Sequence, residues 1–386
     1  MSGVMKNSFF ASQVSRACSI ALLVVGLMGC SLWGGAEKSK PVELGVNIPL
    51  LGVRQAWIAQ LGSDVGAQLL PHVQNSTVTF ASANGVVVAI DARTGSDVWR
   101  LNLREPLVAG VGSDGLRAAV VSRGNELIVL EGGREQWRQR LAAQVYTSPF
   151  VAGGRVFVLA ADRTVMAFDV VNGHRLWSQS RPGESLILRQ SGVLFAVGDT
   201  LLAGVSGRLV GLNPDNGAGK WEASLATSRG TNDVERLVEL VGPVSRVGES
   251  VCVRAFQSTV GCVDTTSQAV KWIRKSNGFE GLDGDELAVY GTQSNGTVAA
   301  WNRNDGSPIW LSERLQYRKL TAPLQLGRSV VVGDESGLVH FLSREDGSPL
   351  NRLTTDGTGI AIAPVSAADT LIVVTRKGNI YGFRPD

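Results

Sequence analysis

Short uninterrupted apolar runs separated by polar turns recur along most of the chain. Residues 86–90, 165–168 and 298–301 are examples. A strand that is apolar at every position is covered on both faces, whereas a strand with one face in water alternates between apolar and polar residues. The pattern therefore predicts short β-strands in sheets that are stacked face to face.

An acidic or amide residue followed eight positions later by Trp marks a repeat. Its complete copies are Asp91/Trp99, Asp169/Trp177, Asn213/Trp221, Asp264/Trp272 and Asn302/Trp310. Two less regular copies stand at Glu131/Trp137 and Ser343, and the last anchor position is Arg384. Eight anchors about 40 residues apart fit the repeat length of a β-propeller rather than that of a helical solenoid. The repeat predicts an all-β fold, an eight-bladed β-propeller with four-stranded antiparallel blades.

The chemistry of the repeat fits stacked blades. The Asp or Asn and the Gly that follows it, as in Asp91 and Gly95, are turn residues, because the side chain caps the turn and Gly accepts positive φ. The Trp is expected to fill the space between adjacent blades, where its indole N–H can reach a neighbouring carbonyl.

The two ends of the repeat array complement each other. The last unit stops before its Trp strand, and residues 55–59, with Trp57 in the middle, form a Trp strand with no unit in front of it. Pairing the two within one blade removes two exposed sheet edges and closes the ring. We therefore expect residues 55–386 to form one domain whose last blade is closed by the N-terminal strand.

Residues 1–29 are typical of an export signal, with Lys6 and Arg16 ahead of an apolar stretch at 20–26. That stretch is shorter than the ~20 residues needed to span a bilayer. Leu-Met-Gly-Cys at its end, residues 27–30, is similar to the bacterial lipobox, in which the Cys is acylated and becomes the N-terminus. The similarity implies a lipid anchor on Cys30, because several acyl chains hold a protein at a membrane without a spanning helix.

Residues 30–54 are then expected to be a lipidated tether. Ser31 follows the Cys, whereas Asp at that position is the signal for retention at the inner membrane. Delivery to the outer membrane, facing the periplasm, is the resulting prediction. Ordinary signal peptidase cleavage with an unmodified Cys30 is the alternative.

Cys252 and Cys262 flank a predicted hairpin centred on Gln257, which makes them partners across two strands. A disulfide is one outcome, since the periplasm is oxidising. Two buried thiols are the other, because directly opposed strand positions often strain the bond. The three His residues are scattered and no Cys-x-x-Cys occurs, so no metal site is expected.

Motifs for catalysis are missing from the sequence. It has no Ser-His-Asp grouping, no Gly-x-Ser-x-Gly and no phosphate-binding loop, and its acidic residues stand mostly at predicted turns. Quinone-dependent alcohol dehydrogenases have a similar Trp repeat, so an enzyme of that kind is the alternative function. They often hold the quinone against adjacent cysteines, which this chain lacks. We expect no enzymatic activity and no cofactor, and the net charge of +3 argues against a nucleic-acid partner.

The repeat is interrupted at two consecutive places. The intervals from Trp177 to Trp221 and from Trp221 to Trp272 are the longest, and each contains an inter-blade connection with Leu and Arg beside acidic residues. Loops on a rigid scaffold often carry binding residues. The connections are therefore a candidate partner surface. Alternatively, Leu186, Leu188 and Leu237 face the core as strand residues.

Several features together resemble the BamB family, the propeller lipoproteins of the outer-membrane β-barrel assembly (BAM) machinery. They are the signal ending at Cys30, the eight Trp-type blades, Leu-Ile-Leu-Arg at 186–189, Asp-Val-Glu-Arg-Leu at 233–237 and the segment 332–340. The resemblance covers the chain from Cys30 to its end. It implies a non-enzymatic scaffold that docks onto the POTRA domains of BamA, with other BAM complex members and nascent outer-membrane barrel proteins as further partners.

In this family the docking surface uses a Leu-x-Leu-Arg segment and an acidic loop. The matching residues here are Leu186, Leu188, Arg189 and Glu239, which are expected to form one exposed patch. Val241 stands where a second acidic residue is expected.

Overall fold

Eight four-stranded antiparallel sheets make up the fold. The structure is a computed structural model that describes residues 39–66, 69–181, 187–227 and 237–386. Within these residues each sheet is one blade, and each blade runs from an innermost strand to an outermost strand in chain order, except the last. The predicted all-β, eight-bladed propeller is confirmed.

Blades 1 to 4 contain β2 to β5, β6 to β9, β10 to β13 and β14 to β17. Their strands are β2 (His72–Gln74), β3 (Thr77–Ala81), β4 (Val86–Asp91), β5 (Asp97–Asn102), β6 (Leu107–Ser113), β7 (Arg117–Ser122), β8 (Glu126–Glu131), β9 (Arg134–Arg140), β10 (Phe150–Ala152), β11 (Arg155–Leu159), β12 (Val165–Asp169), β13 (Arg175–Gln179), β14 (Leu194–Val197), β15 (Thr200–Val205), β16 (Arg208–Leu212) and β17 (Gly219–Ser224).

Blades 5 to 7 contain β18 to β21, β22 to β25 and β26 to β29, and blade 8 contains β30 to β32 together with β1. Their strands are β18 (Leu240–Val247), β19 (Ser250–Ala255), β20 (Thr259–Asp264), β21 (Ala269–Lys275), β22 (Leu282–Gly284), β23 (Ala288–Thr292), β24 (Val298–Asn302), β25 (Pro308–Ser312), β26 (Leu324–Leu326), β27 (Ser329–Gly333), β28 (Leu338–Ser343), β29 (Pro349–Thr354), β30 (Val365–Ala367), β31 (Thr370–Val374), β32 (Asn379–Pro385) and β1 (Val53–Gln60).

Blade 8 closes the ring. β1 lies antiparallel to β32, from Val53 opposite Pro385 to Gln60 opposite Asn379, with a bulge between Gln55 and Trp57. The predicted closure by the N-terminal strand is confirmed, and the strand begins at Val53, two residues before the predicted boundary. The pairing gives β32 the outer neighbour that its own blade lacks.

The core lies between the blades. The middle strands of each sheet are buried over nearly their whole length, as in β4, where residues 86–90 are all buried. Burial on both faces explains why these runs are apolar throughout. In outermost strands such as β5 and β9, exposed residues alternate with half-buried ones or make up most of the strand. One face and one edge of these strands meet solvent.

Five Trp side chains, those of Trp57, Trp137, Trp177, Trp272 and Trp310, link one blade to the next by a hydrogen bond. The indole Nε1 of Trp57 donates to the backbone carbonyl of Ala92 at 2.9 Å. The indole Nε1 of Trp272 donates to the backbone carbonyl of Arg303 at 2.8 Å. The ring lies directly on the turn glycine of the neighbouring blade, so that a Cβ on Gly95 would stand 2.5 Å from the ring of Trp57. The glycine thus serves both the positive φ of the turn, +74° at Gly95, and the close approach of the Trp.

The antiparallel order of the strands gives the ring two distinct faces. One face carries the turns between the second and third strands of each blade and the connections from the outermost strand of one blade to the innermost strand of the next. We call it the connection face. The opposite face carries the other hairpin turns, including those with the Trp-docking glycines, and we call it the turn face.

Candidate functional site

The candidate partner residues lie on the connection face of blades 3 to 5. Residues 187–190 belong to the connection between β13 and β14, and Glu239 directly precedes β18. The structure therefore brings the two interrupted intervals of the repeat to one place on the ring. Leu186 and residues 228–236 lie outside the described residues.

Leu188 lines a small crevice. It is half-buried, and the crevice of about 50 Å³ beside it is also lined by Tyr146, Arg163, Glu239 and Val241. Leu188 precedes β14 by six positions, so it is a connection residue rather than a strand residue. Val241 belongs to β18 and is 1% exposed. An acidic side chain at that position would have to be buried, which explains why an apolar residue fits there.

Arg189 is the exposed member of the group. Its guanidinium carbon lies 5.5 Å from the centroid of the Tyr146 ring, which belongs to the connection entering blade 3. A cation over an aromatic face within about 6 Å is attracted by the ring quadrupole. The contact holds a long, flexible side chain against a rigid blade.

Glu239 is largely covered and is ion-paired. Its Oε1 lies 3.4 Å from Nη2 of Arg163, and the two side chains are 18% and 9% exposed. Burial raises the pKa of the Glu239 carboxyl, and the nearby Arg163 charge and the backbone N–H of Ser206 oppose that rise. The carboxylate therefore holds the connection in place beside the exposed Arg189.

The sequence alone does not predict a role for Arg163, yet this residue completes the site. It lies in the turn between β11 and β12 with φ of 66°. Each of the other seven blades also has a residue at positive φ in this turn. They are, from blade 1 to blade 8, Gly85, Asn125, Gly207, Gln257, Gly296, Gly337 and Gly378. Gly and Asn accept that conformation at little cost, whereas a long side chain there is strained. An Arg where the other blades mostly have Gly is the sequence signal that marks this turn.

Hydrogen bonds join the connections of neighbouring blades into one platform. The N–H of Gly192 donates to Oγ1 of Thr147 at 3.1 Å, and the N–H of Gly242 donates to the carbonyl of Ser191 at 3.0 Å. Nε2 of Gln190 donates to the carbonyl of Phe279 at 2.5 Å. Blades 3 to 6 are tied together directly behind Leu188 and Arg189, so the two side chains stand on a rigid base.

Cys252 and Cys262 are joined by a disulfide between β19 and β20, with their Cα atoms 4.0 Å apart. They are directly opposite in the register of the two strands, and both are fully buried. Nη1 of Arg303 lies 3.3 Å from Sγ of Cys252. The bond lies inside blade 5, away from the candidate partner surface.

A cavity of about 140 Å³ lies near the ring axis on the connection face. Ionisable residues from four blade connections or turns line it, namely Glu280, Lys319, Glu335 and Arg376. Burial raises the pKa of Glu280 to about 7, and the charge of the buried Arg254 opposes this rise. Glu280 thus titrates near neutral pH.

The described part of the chain has neither a metal-binding cluster nor a membrane-spanning helix. Over residues 39–66, 69–181, 187–227 and 237–386, His, Cys, Asp and Glu form no group that could hold a metal ion. The same residues include no helix that is long and apolar enough to cross a membrane.

Solved structures with the same architecture include BamB from Moraxella catarrhalis, with a TM-score of 0.79 at 23% identity over 86% of this chain and 99% of that one. Quinohemoprotein alcohol dehydrogenase from Comamonas testosteroni has a TM-score of 0.66 at 15% identity, covering 89% of this chain and 78% of that one. Both likenesses show the fold alone. They place the chain in the class of eight-bladed propellers with Trp-docked blades.

Sequence comparison separates the members of this class. The family model described as outer membrane protein assembly factor BamB matches residues 83–312. The chain is 36% identical to outer membrane protein assembly factor BamB of Burkholderia pseudomallei, over 96% of its own length and 97% of that protein. It is 34% identical to the BamB of Bordetella pertussis, over 97% and 98% of the two chains. The chain belongs to the BamB family of outer membrane protein assembly factors.

Membership of this family confirms the predicted resemblance. It also confirms that the protein is not an enzyme, because the relatives are named assembly factors and the dehydrogenases are similar only in fold.

Proposed function

We propose that this protein is a lipid-anchored scaffold on the periplasmic face of the outer membrane that binds the POTRA domains of BamA and assists insertion of β-barrel proteins. Its docking surface comprises Leu188 and Arg189, with Leu186 beside them in the chain and Glu239 in the adjoining connection. The observation that carries the proposal is the placement of Arg189 over Tyr146, at the edge of the crevice that Leu188 and Glu239 line.

The geometry supports a protein partner. An exposed Arg on a rigid base next to a half-buried Leu offers one charged and one apolar contact, and Arg is among the residues that most often carry interface energy. The Arg163–Glu239 pair fixes the surface from behind. Preorganisation of this kind lowers the entropy that binding costs.

Binding measurements with isolated POTRA domains of BamA test the surface. Removing a central anchor typically costs about 2 kcal/mol or more, so Arg189→Ala is expected to weaken binding about thirtyfold. Arg175→Ala is the control, because Arg175 is an exposed residue of β13, the outermost strand of blade 3, away from the site. Wild-type affinity in a stably folded Leu188→Ala/Arg189→Ala double variant would place the interface elsewhere.

The anchor is tested separately. Cys30 lies outside the described residues, and its acylation is proposed from the lipobox-like Leu-Met-Gly-Cys at 27–30. Cells grown with a palmitate analogue are expected to label the wild type and not Cys30→Ala, and the variant should leave the membrane fraction. Unchanged labelling and fractionation of Cys30→Ala would refute the anchor.

A further inference from the structure

The segment ahead of β1 is bound to blade 7. Residues 41–52, which we call the N-terminal arm, lie along the outermost strand of that blade, β29. The N–H of Leu50 donates to the carbonyl of Leu350 at 2.7 Å, and the N–H of Val42 donates to the carbonyl of Gln316 at 3.1 Å. Gln316 lies in the connection between β25 and β26, so the arm enters at the connection face and reaches blade 8 at the turn face.

Guanidinium and amide groups of the ring hold the main chain of the arm. The bonds are Arg318 Nη2 to Val42 O at 3.1 Å, Arg352 Nη1 to Leu44 O at 3.3 Å, Arg352 Nη2 to Gly45 O at 3.1 Å, Arg328 Nη2 to Leu50 O at 2.7 Å and Asn351 Nδ2 to Leu51 O at 2.8 Å. Hydrogen bonds from a charged donor are stronger than neutral ones. They are spaced along the whole arm, so the arm is fastened at both ends and in the middle.

The clamp at the entry end is itself fixed by buried groups. Nη1 of Arg318 lies 3.3 Å from Oδ2 of Asp334, a carboxylate with no exposed side-chain surface, and Nε2 of His340 lies 3.0 Å from the same oxygen. Leu44 packs against the apolar core cluster that includes Leu315 and Leu342. The arm therefore rests on a site that is already formed by the ring.

We propose that the N-terminal arm is a strap that sets where the membrane anchor leaves the ring, an inference that rests on the proposed acylation of Cys30. With the arm fastened, the segment between Cys30 and the arm is residues 31–40, whereas without the strap the segment before β1 is residues 31–52. Ten residues reach at most about 35 Å and 22 residues about 75 Å, at ~3.4 Å per residue. The arm begins beside Gln316 at the connection face, so the strap shortens the length of chain that can separate the ring from the anchor.

Hydrogen exchange on the full-length lipoprotein in detergent tests the fastening. In the wild type the amides of Val42 and Leu50 are expected to be protected, whereas those of Val46 and Ile48 exchange rapidly. In Arg328→Gln/Arg352→Gln the protection of Leu50 is expected to fall at least tenfold. Arg246→Gln is the control, because Arg246 donates to carbonyls of Gly248 and Ala196 within the ring. Exchange of Val42 and Leu50 at the unprotected rate in the wild type would refute the strap.

Energy transfer in vesicles tests the consequence for the anchor. A donor dye on Val98→Cys, an exposed position of blade 1, is measured against acceptor lipids. Arg328→Gln/Arg352→Gln is expected to lower the transfer efficiency, and a ten-residue Gly/Ser insertion between Lys40 and Pro41 should do the same while Leu50 stays protected. If the insertion lowers the transfer efficiency but the double variant leaves it unchanged, the strap is refuted. Absence of palmitate label on the wild type refutes the proposed anchor instead.

Discussion

Nδ2 of Asn351 donates a hydrogen bond to the carbonyl oxygen of Leu51 at 2.8 Å. Asn351 lies opposite Phe341 in blade 7, the register position that Trp310 occupies opposite Ala300 in blade 6. In five other blades the Trp at this position donates to the backbone carbonyl of the residue after the turn anchor, as Trp310 does to the carbonyl of Arg344 at 2.9 Å. In blade 8 the outer neighbour of β32 is β1, which comes from another part of the chain, so no hairpin turn joins the two strands, and the N-terminal arm supplies the carbonyl.

Docking of Trp on glycine predicts a selective loss of stability. Gly95→Ala introduces a Cβ 2.5 Å from the ring of Trp57, whereas Gly62→Ala meets nothing within 4 Å, and the two positions have similar φ values of +74° and +79°. The φ penalty of about 1 kcal/mol is common to both variants. The clash should cost Gly95→Ala a further ~1–3 kcal/mol. Thermal unfolding measures the difference, and equal midpoints would show that the ring does not depend on this contact.

Arg163→Gly removes the ion pair with Glu239 and at the same time relieves the backbone strain in the turn. Glycine relieves positive φ at this position, which offsets only part of the cost of leaving the largely covered Glu239 carboxylate unpaired, so the free energy of unfolding should fall by about 2–4 kcal/mol. Binding to the BamA POTRA domains should also weaken several-fold, because the connection beside Arg189 loses its support. Gln257→Gly is the matched control in the turn of blade 5 and should leave binding unchanged. A large loss of stability with normal binding would assign Arg163 to the fold alone.

The disulfide is expected to contribute little to the ring as a whole. Cys252 and Cys262 are ten positions apart in neighbouring strands, and a loop of this length is stabilised by about 3 kcal/mol at most in the entropic model. Full burial of both residues should also protect the bond from reductant until the protein unfolds. Peptide mass analysis under non-reducing conditions checks the bond, and two free thiols there would disprove it. A Cys252→Ala/Cys262→Ala variant gives the stability change.

Glu280 makes stability depend on pH between its ordinary pKa of 4.5 and its folded-state pKa of about 7. In this window the folded protein keeps the proton that the unfolded chain loses, so stability falls as pH rises, by at most about 1.4 kcal/mol per pH unit. Glu280→Gln should remove that slope between pH 5 and pH 7, whatever its effect on absolute stability. Glu286→Gln, at an exposed position of the same blade, is the control. An unchanged slope in Glu280→Gln would mean that another group titrates.

The sequence by itself determined the number of blades and the way the ring closes. A Trp recurs in seven of the eight blades because it fills the same space over the next turn, and buried strands stay apolar because both faces are covered. A local periodic constraint of this kind leaves its mark at each repeat. The predicted strand around Trp57 could be assigned to the last blade for the same reason, since an incomplete unit at each end leaves one solution.

Tertiary structure alone decided how the partner surface and the arm are built. Arg163 and Glu239 are 76 positions apart and Arg189 meets Tyr146 from another connection, so no spacing in the chain predicts either contact. The arm falls within the stretch up to residue 54 whose composition, with Gly34-Gly35, Glu37-Lys38 and Pro41, predicts a tether. It is held by guanidinium groups that bind main-chain carbonyls, and carbonyls are present in every residue, so this contact leaves no pattern in the arm's own sequence.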